Sequence, residues 1–123
     1  GDFSIESGSL AAEKLLSGYK KNPFTAIFAA NDEMAMAARL VLSHRGIVVP
    51  DEVSLIGFDD LSMSQFLVPP LTTVRQPAYY MGLVASQTIL ASLAGENVRL
   101  PEFPMELIVR QSVAIRGASA SIP

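Results

Sequence analysis

VPDEVSLIGFDD, residues 49–60, is the stretch of sequence that predicts the fold of this chain. A turn signal at residues 50–52 comes before an apolar run over residues 53–58, and two aspartates, Asp59 and Asp60, end the run. An apolar run of this length bounded by turn residues is typical of a buried strand. Polar side chains that follow such a strand lie where open α/β sheets bind their ligands.

A second strand is predicted earlier in the chain, at residues 24–30, with a helix on either side. This run is apolar throughout, and we expect it to be a central strand with both faces covered. Before it, apolar residues at helical spacing predict a helix over residues 8–19 with Ser7 as its N-cap. After it, the pair Asn31-Asp32 is suited to cap another helix, which we expect to end at Gly46.

Segments typical of strands and of helices also alternate toward both ends of the chain. Residues 62–67 are predicted to form a short amphipathic turn, and residues 71–74 have the composition of a strand. Pro77 is expected to be the first residue of a helix that runs to about Leu93. Residues 105–109 have strand composition, and residues 1–3 resemble the end of a strand. This order predicts an α/β fold: a parallel sheet with right-handed crossovers and helices on both faces.

Composition excludes several classes of function. Twelve acidic and nine basic residues give a net charge of −3, which argues against a dedicated nucleic-acid surface. The chain has no cysteine and a single histidine, His44, so thiol chemistry, iron–sulfur clusters and multi-histidine metal sites are excluded. The nucleophile elbow G-x-S-x-G and both glycine-rich nucleotide motifs are missing, and we expect neither catalysis nor a cofactor. The longest apolar stretch is interrupted by polar residues, so we expect a soluble protein without a membrane partner.

Asp59 and Asp60 are open to several interpretations. They could form a catalytic carboxylate pair, bind magnesium, or accept hydrogen bonds from a polyol. Adjacent side chains at a strand end point in opposite directions, so we expect one to face a cleft and the other to bond loop amides. Local capping of the next turn would also explain both residues.

Further indications of a ligand site and of a missing partner come from two residues and one helix. Asn31 would cap its helix, yet its amide also offers a donor and an acceptor for sugar hydroxyls. Phe3 could stack on a ligand or belong to the core. Apolar residues surround much of the 77–93 helix, which therefore requires partners on more than one side. The chain is thus expected to be a piece of something longer or to bury this helix in a dimer.

Three motifs, in this order, resemble the LacI/GalR family of bacterial transcriptional repressors. They are FTAIFAANDEMA (residues 24–35), VPDEVSLIGFDD (49–60) and PPLTTVRQP (69–77), and ELIVRQS (106–112) is similar to the closing strand of that family. The resemblance implies one lobe of a type I periplasmic-binding-protein-like fold. It also implies that residues 1–76 form the C-terminal lobe of the effector-binding domain, that residues 77–116 are a crossover helix and closing strand associated with the other lobe, and that residues 117–123 are a mobile tail.

The same resemblance implies a site and an interface. Its ligand-binding positions fall on Phe3, Asn31, Asp59 and Gln76, and its dimer face falls on Met36, Leu40, Met63 and Phe66. The implied function is binding without turnover: a small-molecule effector, expected to be a sugar, shifts a cytoplasmic homodimer between DNA-competent and DNA-incompetent states. DNA would be contacted only through an N-terminal domain absent from this chain.

Two alternatives remain open at the level of sequence. A sugar-binding protein of a transport system would share the fold without regulating DNA. A phospho-receiver domain also places acids at strand ends, but it needs an acidic pair after its first strand and a lysine after its fifth, and this chain has neither in place.

Overall fold

A computed structural model describes residues 1–115, so the predicted tail at 117–123 lies outside the described residues. The α/β class is confirmed, with a four-stranded and mostly parallel sheet. Along the chain the elements are α1 (Ile5–Ser17), β1 (Ala26–Phe28), α2 (Asp32–His44), β2 (Ser54–Phe58), a 3-10 helix (Ser62–Phe66), β3 (Thr72–Arg75), α3 (Ala78–Leu93) and β4 (Glu106–Ile108).

The sheet has the order β1-β2-β3-β4. β1, β2 and β3 run parallel, whereas β4 runs antiparallel to β3. A closing strand was expected in a parallel sheet, but Glu106 pairs with Arg75, the last residue of β3. The chain leaves β3, passes through α3 and returns to the same end of the sheet, so β4 must run in the opposite direction.

Residues beyond β4 also join the sheet. Ser112 Oγ donates to the Leu55 carbonyl of β2 at 2.5 Å and accepts from the Thr72 amide of β3 at 2.8 Å. The Leu55 amide in turn donates to the Ser112 carbonyl at 2.7 Å. One serine thus bridges two strands, and the segment after β4 is fastened to the sheet formed by residues 26–75.

Two predictions about the first strands are wrong. In the described chain β1 is a three-residue edge strand instead of a central one. Phe28 is 65% exposed, because its side chain lies on the face opposite to Ile27, which packs against the core. Residues 1–3 form no strand. Asp2 Oδ1 accepts from both the amide and the hydroxyl of Ser4, which makes a local turn, and Ser4 instead of Ser7 then caps α1.

The core lies between the helices and β2. α1 and α2 approach closely at Gly8, where a Cβ would lie 2.7 Å from the Met34 Cα. The buried apolar side chains come from both helices, β2 and the loops beside it: Ala12, Leu16, Ala29, Ala35, Ala38, Val41, Leu42, Val49, Val53, Leu55 and Leu71. Burial of these side chains fixes the α1–α2 pair on one part of the sheet and so fixes the positions of the strand ends.

Asp32 connects three elements beside this core. The sequence suggested only a helix cap, but the residue is 0% exposed. Its Oδ2 accepts from the Leu61 amide at 2.8 Å and from Ser64 Oγ at 2.5 Å, and its Oδ1 accepts from Thr73 Oγ1 at 2.6 Å. Gly57 of β2 leaves the space for this carboxylate, since a Cβ there would collide with Asp32 Oδ1. Asp32 therefore ties the start of α2 to the 3-10 helix and β3.

Asp60 makes a second polar connection. Its side chain is 7% exposed and accepts from Arg75 at 2.7 Å and from Arg110 at 2.6 Å. We expected one aspartate of the pair to bond loop amides, but the partners of this carboxylate are two guanidinium groups from β3 and from the segment after β4. Burial alone would raise the pKa of the Asp60 carboxyl, but hydrogen bonds and charge attraction from Arg110 and Arg75 outweigh burial and hold the pKa below its ordinary value of 3.8.

Replacement of Asp32 should destabilise the fold strongly. Asp32→Ala leaves the hydroxyls of Ser64 and Thr73 and the Leu61 amide without their acceptor, and we expect a loss on the order of 3 kcal/mol in the free energy of unfolding. Urea unfolding followed by circular dichroism measures this loss. The control is Glu33→Ala, an exposed acid one residue along the same helix turn, which should change the free energy by less than about 0.5 kcal/mol. Equal midpoints for the two variants would contradict the assignment.

The Asp60 cluster predicts a specific pH dependence of stability. Its folded-state pKa is depressed, so the carboxylate stabilises the fold above the unfolded-state value and this contribution is lost as pH falls through the folded-state pKa. Asp60→Asn should therefore cost about 2 kcal/mol at pH 7, and its difference from the parent protein should shrink as the pH falls below 3.8. Free energies of unfolding measured at several pH values test this pH dependence. The control at pH 7 is Asp51→Asn, a substitution of an exposed aspartate. A difference that does not change with pH would contradict it.

Candidate functional site

The carboxyl ends of β1, β2 and β3 form one polar edge of the sheet. Asp59 directly follows β2, Gln76 directly follows β3, and Asn31 comes shortly after β1. These three strands are parallel, so their carboxyl ends meet at the same edge. Asp32 accepts from the Leu61 amide, which holds the loop after β1 beside the loop after β2. The structure thus brings the polar residues predicted from the strand ends to one edge.

Asp59 and Gln76 are in direct contact. Gln76 Nε2 donates to Asp59 Oδ1 at 2.6 Å, a hydrogen bond strengthened by the charge of the carboxylate. Both side chains are partly exposed. Within residues 1–115, Asp59 Oδ2 and Gln76 Oε1 have no hydrogen-bond partner. The pair therefore presents two acceptor oxygens at the polar edge.

Phe3 and Asn31 form the other half of this edge. Asn31 Nδ2 donates to the Phe3 carbonyl at 2.9 Å, and Asn31 Oδ1 accepts from the Met34 amide at 2.8 Å as the N-cap of α2. The Phe3 side chain is 63% exposed, which excludes the interpretation of Phe3 as a core residue. Phe3, with its exposed side chain, is thus bonded to the residue that caps α2 at the polar edge.

The two adjacent aspartates do not act as a pair. Asp59 bonds Gln76, whereas both oxygens of Asp60 accept from arginines. Both residues have positive φ values, 104° and 54°, and their carboxylates share no partner. Among residues 1–115, no three histidine or acidic side chains lie close enough together to hold a metal ion. The geometry suits hydrogen bonding to hydroxyl groups better than carboxylate-pair chemistry.

Four apolar residues expected at a dimer face lie on two helices, and three of them are largely exposed. Met36 and Leu40 lie on α2, and Met63 and Phe66 lie on the 3-10 helix. Leu40, Met63 and Phe66 are 58%, 58% and 69% exposed. Arg39 Nη2 donates to the Val68 carbonyl at 2.7 Å and so ties α2 to the segment that follows the 3-10 helix. We call these four residues the apolar patch.

α3 is poorly covered in the described part of the chain. Val84 is its one buried residue, while Leu83, Ile89, Leu90 and Leu93 are 44%, 61%, 68% and 81% exposed. An apolar helix in this condition needs a further partner, as its sequence predicted. No helix within residues 1–115 is both long enough and apolar enough to cross a membrane.

Three residues that organise the site were missed by sequence reasoning. Asp32, Arg110 and Ser112 each bond groups more than 25 positions away along the chain. Asp32 had a local explanation as a cap, and nothing near Arg110 or Ser112 indicated a partner. One usable signal was present: a small residue, Gly57, in the middle of a buried strand often marks the close approach of another group.

Comparison with known proteins gives the same fold and family. A family model described as a periplasmic binding protein-like domain matches residues 2–113. The transcriptional repressor CytR of Escherichia coli K12 is 37% identical over 123 residues, which cover 100% of this chain and 34% of the repressor. These findings favour the repressor interpretation over a transport protein and over a phospho-receiver domain.

Solved structures agree with this assignment. The transcriptional regulator CelR in complex with cellobiose superposes with a TM-score of 0.83 at 34% identity, covering 91% of this chain and 34% of that one. The lac repressor dimer bound to operator and the anti-inducer ONPF superposes with a TM-score of 0.82 at 30% identity. The match covers 94% of this chain and 40% of the lac repressor chain.

The match is partial in one respect, since the chain spans about a third of the length of the curated repressors that it matches. It nevertheless accounts for nearly all of this chain, in sequence and in structure. The chain belongs to the periplasmic binding protein-like domain family, as a part of the effector-binding domain found in LacI/GalR-type transcriptional regulators.

Proposed function

We propose that this chain senses a small-molecule effector and forms dimers within a DNA-binding transcriptional regulator. The observation that carries the proposal is the polar edge, where the ends of β2 and β3 place the acceptor oxygens of Asp59 and Gln76 and where Asn31 bonds Phe3, whose side chain is exposed. This arrangement serves binding without turnover. DNA would be contacted by another part of the regulator, which would act in the cytoplasm where the chromosome lies.

The chemistry of the polar edge favours a sugar or another polyol. Asp59 Oδ2 and Gln76 Oε1 both accept, so a matching ligand supplies two hydroxyl donors close together. The exposed ring of Phe3 can cover an apolar face of a sugar ring. The similar regulator CelR was solved with cellobiose, a ligand of this chemical class.

Closure of two lobes would convert binding into a signal. In this proposal residues 1–76 form one lobe, and the exposed apolar side chains of α3 pack against the other lobe, with the boundary after Gln76. The segment that contains β4 (Glu106–Ile108) links the two lobes, because β4 pairs with β3 while α3 lies beyond the boundary. A ligand that bonds both lobes favours the closed arrangement and so changes the affinity of the dimer for DNA.

The apolar patch is the proposed dimer surface. Its exposed methionine, leucine and phenylalanine side chains have the composition of an interface core, and one patch of this kind can pair with its own copy about a two-fold axis. The lac repressor, which superposes on this chain, was solved as a dimer.

Removal of the Asp59 carboxylate should abolish the response to effector. Asp59→Ala, made in the product of the complete reading frame, removes a charged acceptor, and we expect affinity for the ligand to fall about 10- to 100-fold. Thermal shift across a panel of mono- and disaccharides and nucleosides identifies the ligand, and calorimetry measures the loss. DNA binding should be unchanged, as in the control Asp51→Ala. If no member of the panel binds, or if Asp59→Ala responds normally, the proposal fails.

Charge placed in the apolar patch should separate the dimer. Leu40→Asp would bury an unpaired carboxylate at the interface, and we expect the dimer dissociation constant to rise at least about 100-fold. Analytical ultracentrifugation of the complete regulator measures this change. Leu10→Asp introduces the same charge at an exposed leucine of α1, outside the patch, and should leave the dimer intact. Identical behaviour of the two variants would remove Leu40 from the interface.

A further inference from the structure

Phe3 has an unusual backbone for a large side chain. Its φ is +67°, in the left-handed region that residues with bulky side chains rarely adopt. Packing of the ring does not explain this conformation, because the side chain is 63% exposed. A disfavoured backbone that carries an exposed aromatic ring persists only when surrounding groups hold it, and such positions concentrate at ligand sites.

Hydrogen bonds hold Phe3 from both directions. On one side the Asp2 carboxylate accepts from the Ser4 amide at 3.1 Å and from the Ser4 hydroxyl at 2.7 Å, so the chain turns around residue 3. On the other side Asn31 Nδ2 donates to the Phe3 carbonyl at 2.9 Å. Among residues 1–115, no other side chain makes a hydrogen bond to Phe3. Within this part of the chain, Asn31 is thus the one side chain outside the local turn that bonds Phe3.

The amide of Asn31 has a fixed direction. Its Oδ1 accepts from the Met34 amide at 2.8 Å, as the cap of α2, so its Nδ2 must point away from the helix axis and toward Phe3. The start of α1 cannot slide along α2, because Gly8 already lies against Met34 with no room for a Cβ. Packing of α1 on α2 thus restrains the start of α1, and the Asn31 amide adds a direct bond to the Phe3 carbonyl. Serine and aspartate can also cap a helix, but neither side chain donates an amide hydrogen.

We propose that Asn31 is the positioning residue of Phe3: its amide joins the cap of α2 to the Phe3 carbonyl and holds Phe3, with its exposed ring, at the polar edge. This inference rests on the proposed effector site and assigns to Asn31 an action through the ring. The contribution of Asn31 to ligand affinity then depends on the presence of the Phe3 side chain.

A ligand-free measurement tests the positioning by itself. In the product of the complete reading frame, Asn31→Ser keeps a cap on α2 but loses the donor to Phe3. Hydrogen exchange of the amides of residues 2–7 should become at least about tenfold faster, while the Met34 amide stays protected. Asn22→Ser, at an exposed asparagine, is the matched control and should change neither region. Unchanged exchange over residues 2–7 in Asn31→Ser would overturn the proposal.

A double-mutant cycle with cellobiose and with D-ribose as probes tests the consequence for binding. Asn31→Ser should weaken binding of the sugar that the parent protein takes by about tenfold, and by less than about twofold in a Phe3→Ala background. An equal loss in both backgrounds would overturn the proposal and make Asn31 a direct ligand contact. If neither sugar binds the parent protein, that result counts against the proposed function, and the exchange measurement still decides the positioning of Phe3.

Discussion

The fold depends on the hydrogen bonds that the buried Asp32 carboxylate accepts. A fully buried acid is tolerable only with several donors, and three of them come from the 3-10 helix, the residue before it, and β3. These donors reach Asp32 only when α2 starts directly over Gly57. One side chain thus fixes the helix start relative to the strand ends, and the polar edge is built on that fixed arrangement.

The two aspartates that end β2 show how one short sequence serves structure and site at once. Asp60 is committed to two arginines and fastens β3 and the segment after β4 to the end of β2. Asp59 keeps one carboxylate oxygen free in the described chain and uses the other for Gln76. The two carboxylates bond different groups, so the ion pairs of Asp60 and the open acceptor of Asp59 lie next to each other without sharing partners. The ion pairs of Asp60 hold the end of β2, and this support keeps the neighbouring Asp59 carboxylate oriented.

Sequence reasoning succeeded where information is local and failed where it depends on distant partners. The apolar run before Asp59 predicted β2, and Asn31 predicted the start of α2, because strands and caps have local signals. The edge position of β1 and the reversed direction of β4 depend on which strands are neighbours, and no short run of residues encodes that. The site divides in the same way: its residues follow strand ends and could be predicted, whereas the partners of Asp32 and Arg110 are 29 to 50 residues away.

Gly57 has a consequence for how related sequences can diverge. Because a methyl group there would occupy the space of the Asp32 carboxylate, alanine at position 57 is compatible only with a shorter side chain at position 32. A shorter side chain at 32 in turn leaves Ser64 and Thr73 without their acceptor. A substitution at Gly57 therefore acts on Ser64 and Thr73 through Asp32, although neither residue touches the glycine position in the network of bonds to Asp32.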